Sequence, residues 1–150
     1  MMTPPEETCA VEAESPHPPS IVTRLLGTIA TAALADLQAK YEVGCVAHRL
    51  RYPAPDEPDD PDRLVNLGTR LGLDASSLRR RARVVETIDP EEFAAITAMR
   101  TRRGQPLSWS HLELLATLRS RKRRLEVAQR CADEDLSVRD CTLLLRSSVE

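Results

Sequence analysis

The chain has 150 residues, enough for one compact domain, and it carries only one Trp, two Tyr and one Phe. Its core must therefore be built from Leu, Val, Ile and Ala, which suits packed helices. The net charge of -2 conceals an asymmetry. Residues 1–62 hold 4 basic and 11 acidic side chains, whereas residues 63–150 hold 17 basic and 12 acidic ones, which points the carboxy-terminal part toward an anionic partner. Cys9, Cys45, Cys131 and Cys141 match no disulfide framework and no paired zinc spacing, so reduced thiols in a cytoplasmic protein are expected. The apolar run Ile21 to Ala35 is interrupted by Arg24, is short for a bilayer and follows acidic residues, so neither an export signal nor a membrane span is expected.

In chain order, residues 1–19 contain five prolines and four glutamates with little apolar content and read as a disordered tail. A single helical domain then spans residues 20–150. Its first element is a long helix over residues 20–51, in which Val22, Leu26, Ile29, Ala33, Leu37, Tyr41, Gly44 and His48 recur at intervals of three or four, and which is long enough that it must lie across several other elements or against a partner. The segment 52–62, with Pro53, Pro55, Pro58 and Pro61 among Asp56, Glu57, Asp59 and Asp60, is an acidic linker that cannot continue the helix.

Asp60 and Pro61 offer a cap and first position for a short helix through Leu64, Val65, Leu67 and Leu71 that ends at Gly72. Asp74 caps a third helix with Leu78, Ala82 and Val85 inward. Asp89 and Pro90 start a fourth, expected to continue through Met99 to Arg102-Arg103-Gly104. Ser108 or Ser110 caps a fifth; a sixth covers residues 121–133 through Leu125, Ala128 and Cys131. Ser137 and Asp140 form a capping box with Asp in place of Glu and open a last helix through Cys141 and Leu144. The reading is all-α: a long first helix on a helix-turn-helix-containing bundle of about six shorter ones.

The sharpest functional signal lies on the third helix. With its apolar residues turned inward, Ser76, Arg79, Arg80 and Arg83 share one outward arc of about 100°. Arginines there can meet phosphates and guanine edges, and Ser76 and Ser77 at the helix start can meet backbone phosphate. Short helix, glycine turn and second helix reproduce the helix-turn-helix layout. The bland alternative is a solvated basic face paired with the acidic linker. A second basic run, Arg119, Arg121, Lys122, Arg123 and Arg124, adds candidate phosphate contacts, or is a polar surface at a helix start.

Other constellations carry less. Trp109 and His111 read as packing residues, since no nucleophile or third partner accompanies His111. Cys45 and His48 share a face at i, i+3, but no second pair completes a metal site, and the acidic linker lacks the glycine turn of a calcium loop. No catalytic residue, metal or cofactor is expected.

Tyr41-Glu42-Val43-Gly44, Leu71-Gly72-Leu73 leading into Ser77-Leu78-Arg79-Arg80, and the strings LSWSHLELL and LSVRDCTLLL together resemble the amino-terminal helical domain of the YhcG-like nuclease family over about residues 20–146. A competing resemblance, over Leu64 to Leu145, is to the central helix-turn-helix region of ParB and KorB-type partition proteins. Both imply a helical DNA-associated module, and the second implies Ser76, Ser77, Arg79, Arg80 and Arg83 as the groove-facing set. The first also implies a PD-(D/E)xK nuclease domain, from which this chain departs: its only lysines, Lys40 and Lys122, follow Gln38 and Ser120 at two positions, so the carboxylate-lysine pattern of that chemistry is missing. The expected function is a non-catalytic module binding nucleic acid, duplex DNA first. The alternative is a protein-protein adaptor or structural subunit docking on a partner, or on itself, through the helix 20–51.

Overall fold

Ser20 opens the first helix by accepting the Thr23 backbone N–H on its hydroxyl at 3.1 Å, and the helix that follows, α1 (Ile21–Arg51), runs for 31 residues or about 46 Å. In this computed structural model, which describes residues 20–57 and 60–147, six shorter helices follow among the described residues: α2 (Arg63–Leu71), α3 (Ala75–Thr87), α4 (Pro90–Thr97), α5 (Trp109–Leu115), α6 (Arg121–Asp133) and α7 (Val138–Ser147). No strand occurs among the described residues, so the domain is all-α, a long helix packed on shorter ones. The tail expected at residues 1–19 lies outside the described residues.

The carboxy-terminal half of α1 buries Leu37, Tyr41, Gly44 and Ala47, one face at helical spacing. Gly44 sets how closely α1 and α3 approach. A Cβ there would stand 2.6 Å from the Arg81 carbonyl oxygen, so only glycine permits this crossing. Around it, Ala47, Leu78 and Ala82 form one apolar cluster, with Val43, Leu64, Leu67 and Leu73 packed on its rim. The Tyr41 ring stacks on Phe93 at a centroid distance of 4.1 Å and its hydroxyl donates to the Ile88 carbonyl at 2.7 Å. Burial, with help from Cys45, Asp89 and Glu92, pushes its phenol up to about 12.

The larger core gathers Ile88, Ile96, Leu107, Trp109, Leu112, Leu115, Ala128 and Cys141 among its members. Two polar side chains lie inside it. Glu92 receives a fork from Arg124, at 2.6 Å and 2.8 Å, and the same guanidinium donates to the Leu118 carbonyl at 2.8 Å, so neither buried charge lacks a partner. The two phrases LSWSH and LSVRD meet here as well. His111 Nε2 donates to the Leu136 carbonyl at 2.9 Å while its Nδ1 accepts the Ser108 N–H at 3.2 Å, which ties the start of α5 to the start of α7.

Toward the amino-terminal end of α1, Val22, Leu26 and Ile29 are exposed, although Gln105 still donates to the Leu26 carbonyl at 3.0 Å. Three expectations change. α2 starts at Arg63 rather than after Asp60; the Asp60 carboxylate accepts the Asp62 N–H in a preceding turn. α4 stops at Thr97, well before Gly104, where Thr97 bonds its hydroxyl back to the Phe93 carbonyl and Arg100 donates to the freed Thr97 and Met99 carbonyls. Finally, Cys131 and Cys141 are joined by a disulfide between α6 and α7, Cα atoms 6.4 Å apart, instead of being free thiols. Inward-facing positions on two consecutive helices put these sulfurs together.

Candidate nucleic-acid interface

Gly72 ends α2 in the left-handed conformation (φ 70°), and two residues later Asp74 caps α3 by accepting the Ser77 N–H at 2.7 Å. Those bonds from the Ser77 backbone and hydroxyl, with Arg80 nearby, hold the Asp74 carboxyl below the usual carboxylate range. The turn therefore delivers α3 with Leu78, Ala82 and Val84 buried and Ser76, Arg79, Arg80 and Arg83 exposed. Ser77 is half-buried beside them.

On this arc Arg80 lies back on its own helix, its guanidinium 3.1 Å from the Ser77 hydroxyl and 3.5 Å from that of Ser76. Arg79 and Arg83 make no hydrogen bond or ion pair among the described residues. Among the described residues, the acidic linker makes no ion pair with them; its Glu57 pairs with Arg63 at 3.4 Å. Two guanidinium groups thus stand in solvent on one helix face, with two hydroxyls at its amino-terminal end.

The second basic run is divided. Arg124 is buried in the pair with Glu92, and Arg121 stands 3.5 Å from Asp89, 3.8 Å from Glu91 and 3.9 Å from Glu92. Arg119 and Lys122 are exposed and Arg123 is half-buried. Because Asp89 follows directly on the carboxy-terminal end of α3, Arg121 approaches that end already neutralised. The run does not prolong the α3 arc with unpaired charge at that point.

The remaining candidates fall into packing. Trp109 is buried, its Nε1 without a hydrogen-bond partner among the described residues. Cys45 is half-buried, with its thiol pushed up by burial and then by Glu42. No group of three or more His, Cys, Asp or Glu side chains placed to hold a metal occurs among the described residues.

A second exposed surface is apolar. Ile21, Val22, Leu25 and Ile29 are 74%, 64%, 56% and 54% exposed at the amino-terminal end of α1. By length and composition alone, α1 is long and apolar enough to cross a membrane. Helical periodicity identified the apolar residues there but carries no information about what covers them.

Compared with known proteins, the chain matches no family model, no curated protein and no solved structure.

Proposed function

We propose that the protein is a non-catalytic helical module that binds nucleic acid, duplex DNA in the first instance, through the α2-turn-α3 unit. The observation that carries this reading is the exposed arc of Ser76, Arg79, Arg80 and Arg83, in which Arg79 and Arg83 are unpaired among the described residues. Arginines held at one-turn spacing on a rigid helix suit phosphate and guanine contacts, and serines at its start suit backbone phosphate. The resemblance to DNA-associated helical domains in two families agrees with it. Arg119 and Lys122 add secondary phosphate contacts in this reading.

Binding of this kind weakens steeply with salt, because each neutralised phosphate releases counterions. The test is titration of a labelled duplex with the full chain and with the R79E/R80E/R83E variant at about 0.1 M salt, where the Debye length is about 10 Å. The reading requires affinity to fall by about a hundredfold or more, from three charge reversals facing a polyanion. Equal affinity for the two proteins would sink it. A second reading, an adaptor or structural subunit docking through α1, is favoured by the exposed apolar end of that helix.

A further inference from the structure

α7 is pinned at its head and anchored along its body. At the head, the Leu136 N–H donates to the Cys131 carbonyl at 2.9 Å, the Leu136 carbonyl accepts from His111 Nε2 at 2.9 Å, and Arg103 pairs with Asp135 at 3.0 Å. Asp135 itself takes the left-handed conformation, φ 52°, that turns the chain from α6 into α7. Beyond this turn the helix lies against α5 and buries two side chains, Cys141 and Leu145, in the core that also holds Leu112, Leu115 and Val127. Its charged side chains, Arg139, Asp140 and Arg146, make no ion pair among the described residues. One of the two buried anchors is thus the sulfur bonded to Cys131.

We infer that α7 and the Cys131–Cys141 cystine form a redox latch, closed in the disulfide and released by a dithiol reductant. The bond joins positions 10 apart in sequence, and closing a loop of that length restrains its ends by about a hundredfold in equilibrium terms. While the bond stands, Cys141 cannot leave Cys131 and α7 cannot lift from α5. Once it is cut, Leu145 shares the anchoring with a thiol that packs only as a small apolar group. The bonds of Leu136 and Asp135 then serve as the hinge on which the helix swings. Opening uncovers the Leu112 and Leu115 side of the core.

The same helix gates the chemistry. Cys131 and Cys141 are 2% and 1% exposed, so an attacking thiolate reaches neither sulfur while α7 is seated. In the transiently opened helix, one thiolate of the dithiol bonds to one protein sulfur and the sulfur–sulfur bond breaks, releasing the other cysteine as a thiolate that takes up a proton. The second thiol of the reductant gives up its proton, displaces the first cysteine and closes the reductant's own disulfide. Two electrons pass from the dithiol to the cystine, and two thiols remain on the protein.

The test is hydrogen-exchange mass spectrometry of the full chain, air-oxidised and after dithiothreitol, with the cysteines mapped by alkylation in denaturant. In the oxidised chain Cys131 and Cys141 must resist alkylation while Cys45 labels. After dithiothreitol both must label, and the amides of α7 must exchange about a hundredfold faster while those of α1 and α3 keep their rates. Leu145→Ala removes the other anchor and must speed reduction of the cystine by about tenfold or more; Leu145→Val replaces it if the alanine variant loses helical circular dichroism. Free thiols at both positions in the oxidised chain overturn the latch, as does α7 exchange that is the same in both states. Faster exchange throughout the chain overturns it too, since the cystine would then hold the whole fold and not α7 alone. A reduction rate that the Leu145 variants leave unchanged shows that the sulfurs are reached without opening, and overturns the gate.

Discussion

Arg124 and Arg83 come from stretches of similar composition, yet one guanidinium is forked on a buried carboxylate while the other stands in solvent with no partner among the described residues. The difference lies in what packs opposite each helix. α6 turns Arg124 toward Glu92, whose side chain is 1% exposed, and the exposed Arg121 joins the same acidic group. α3 leaves Arg79, Arg80 and Arg83 exposed, because Gly44, Leu78 and Ala82 occupy its contact with α1 and only the half-buried Arg81 lies at that crossing. An arginine-rich helix therefore becomes a structural clamp or a charged surface according to whether a carboxylate has been buried within its reach. Only the unpaired charges keep their full attraction for a phosphate backbone.

The comparison breaks first at Glu92. Glu92→Ala leaves Arg124 buried and unpaired, and the expected loss is about 3–5 kcal/mol in chemical denaturation; adding Arg124→Met to Glu92→Leu should recover most of it, because two apolar side chains leave no orphan charge. Next comes the helix crossing that aims the α3 arc. Gly44→Ala drives a methyl group into the Arg81 carbonyl, so α1 and α3 must separate, at an expected cost of about 1–3 kcal/mol read from the same denaturation curves.

Tyr41 comes next, its folded-state phenol at about 12 lying above the ordinary 10.0. A raised pKa means that the unfolded chain loses this proton first, so the stabilisation is complete below about pH 10 and drains away as pH rises toward 12. Tyr41→Phe should cost about 1 kcal/mol at neutral pH through the lost bond to Ile88 and should flatten that alkaline slope. The smallest stability effect belongs to the α3 arc itself. R79E/R80E/R83E should shift stability by only about 0.5 kcal/mol, because these side chains bury nothing, although it is the variant expected to abolish binding. A large loss of stability there would erase the distinction between the two runs.

What could be read from the chain was local. Asp74, Asp89 with Pro90, Ser108 and Ser137 announce helix starts because a cap needs only its own next three residues, and the α3 arc follows from helical spacing alone. The Glu92–Arg124 pair was not legible: Glu92 sits beside the exposed Glu91 with the same chemistry, and its partner is 32 residues away. The Cys131–Cys141 link did leave a trace, since both cysteines occupy inward positions of consecutive helices, but a search for standard cysteine spacings passes over it. Nor does an apolar stripe disclose its cover, so helical spacing alone does not tell which part of α1 is buried and which is exposed.

The segment between α1 and α2 has an entropic role. It closes the loop that lets Gly44 meet Arg81 and Tyr41 reach Ile88, 47 residues on, and its one ion pair among the described residues is Glu57 to Arg63. Loop closure grows only with the logarithm of length, so doubling such a connection costs about 0.6 kcal/mol. The acidic stretch can thus be lengthened, recoded or made to carry an inserted module at little thermodynamic expense, provided the two helices it joins keep the glycine at their crossing.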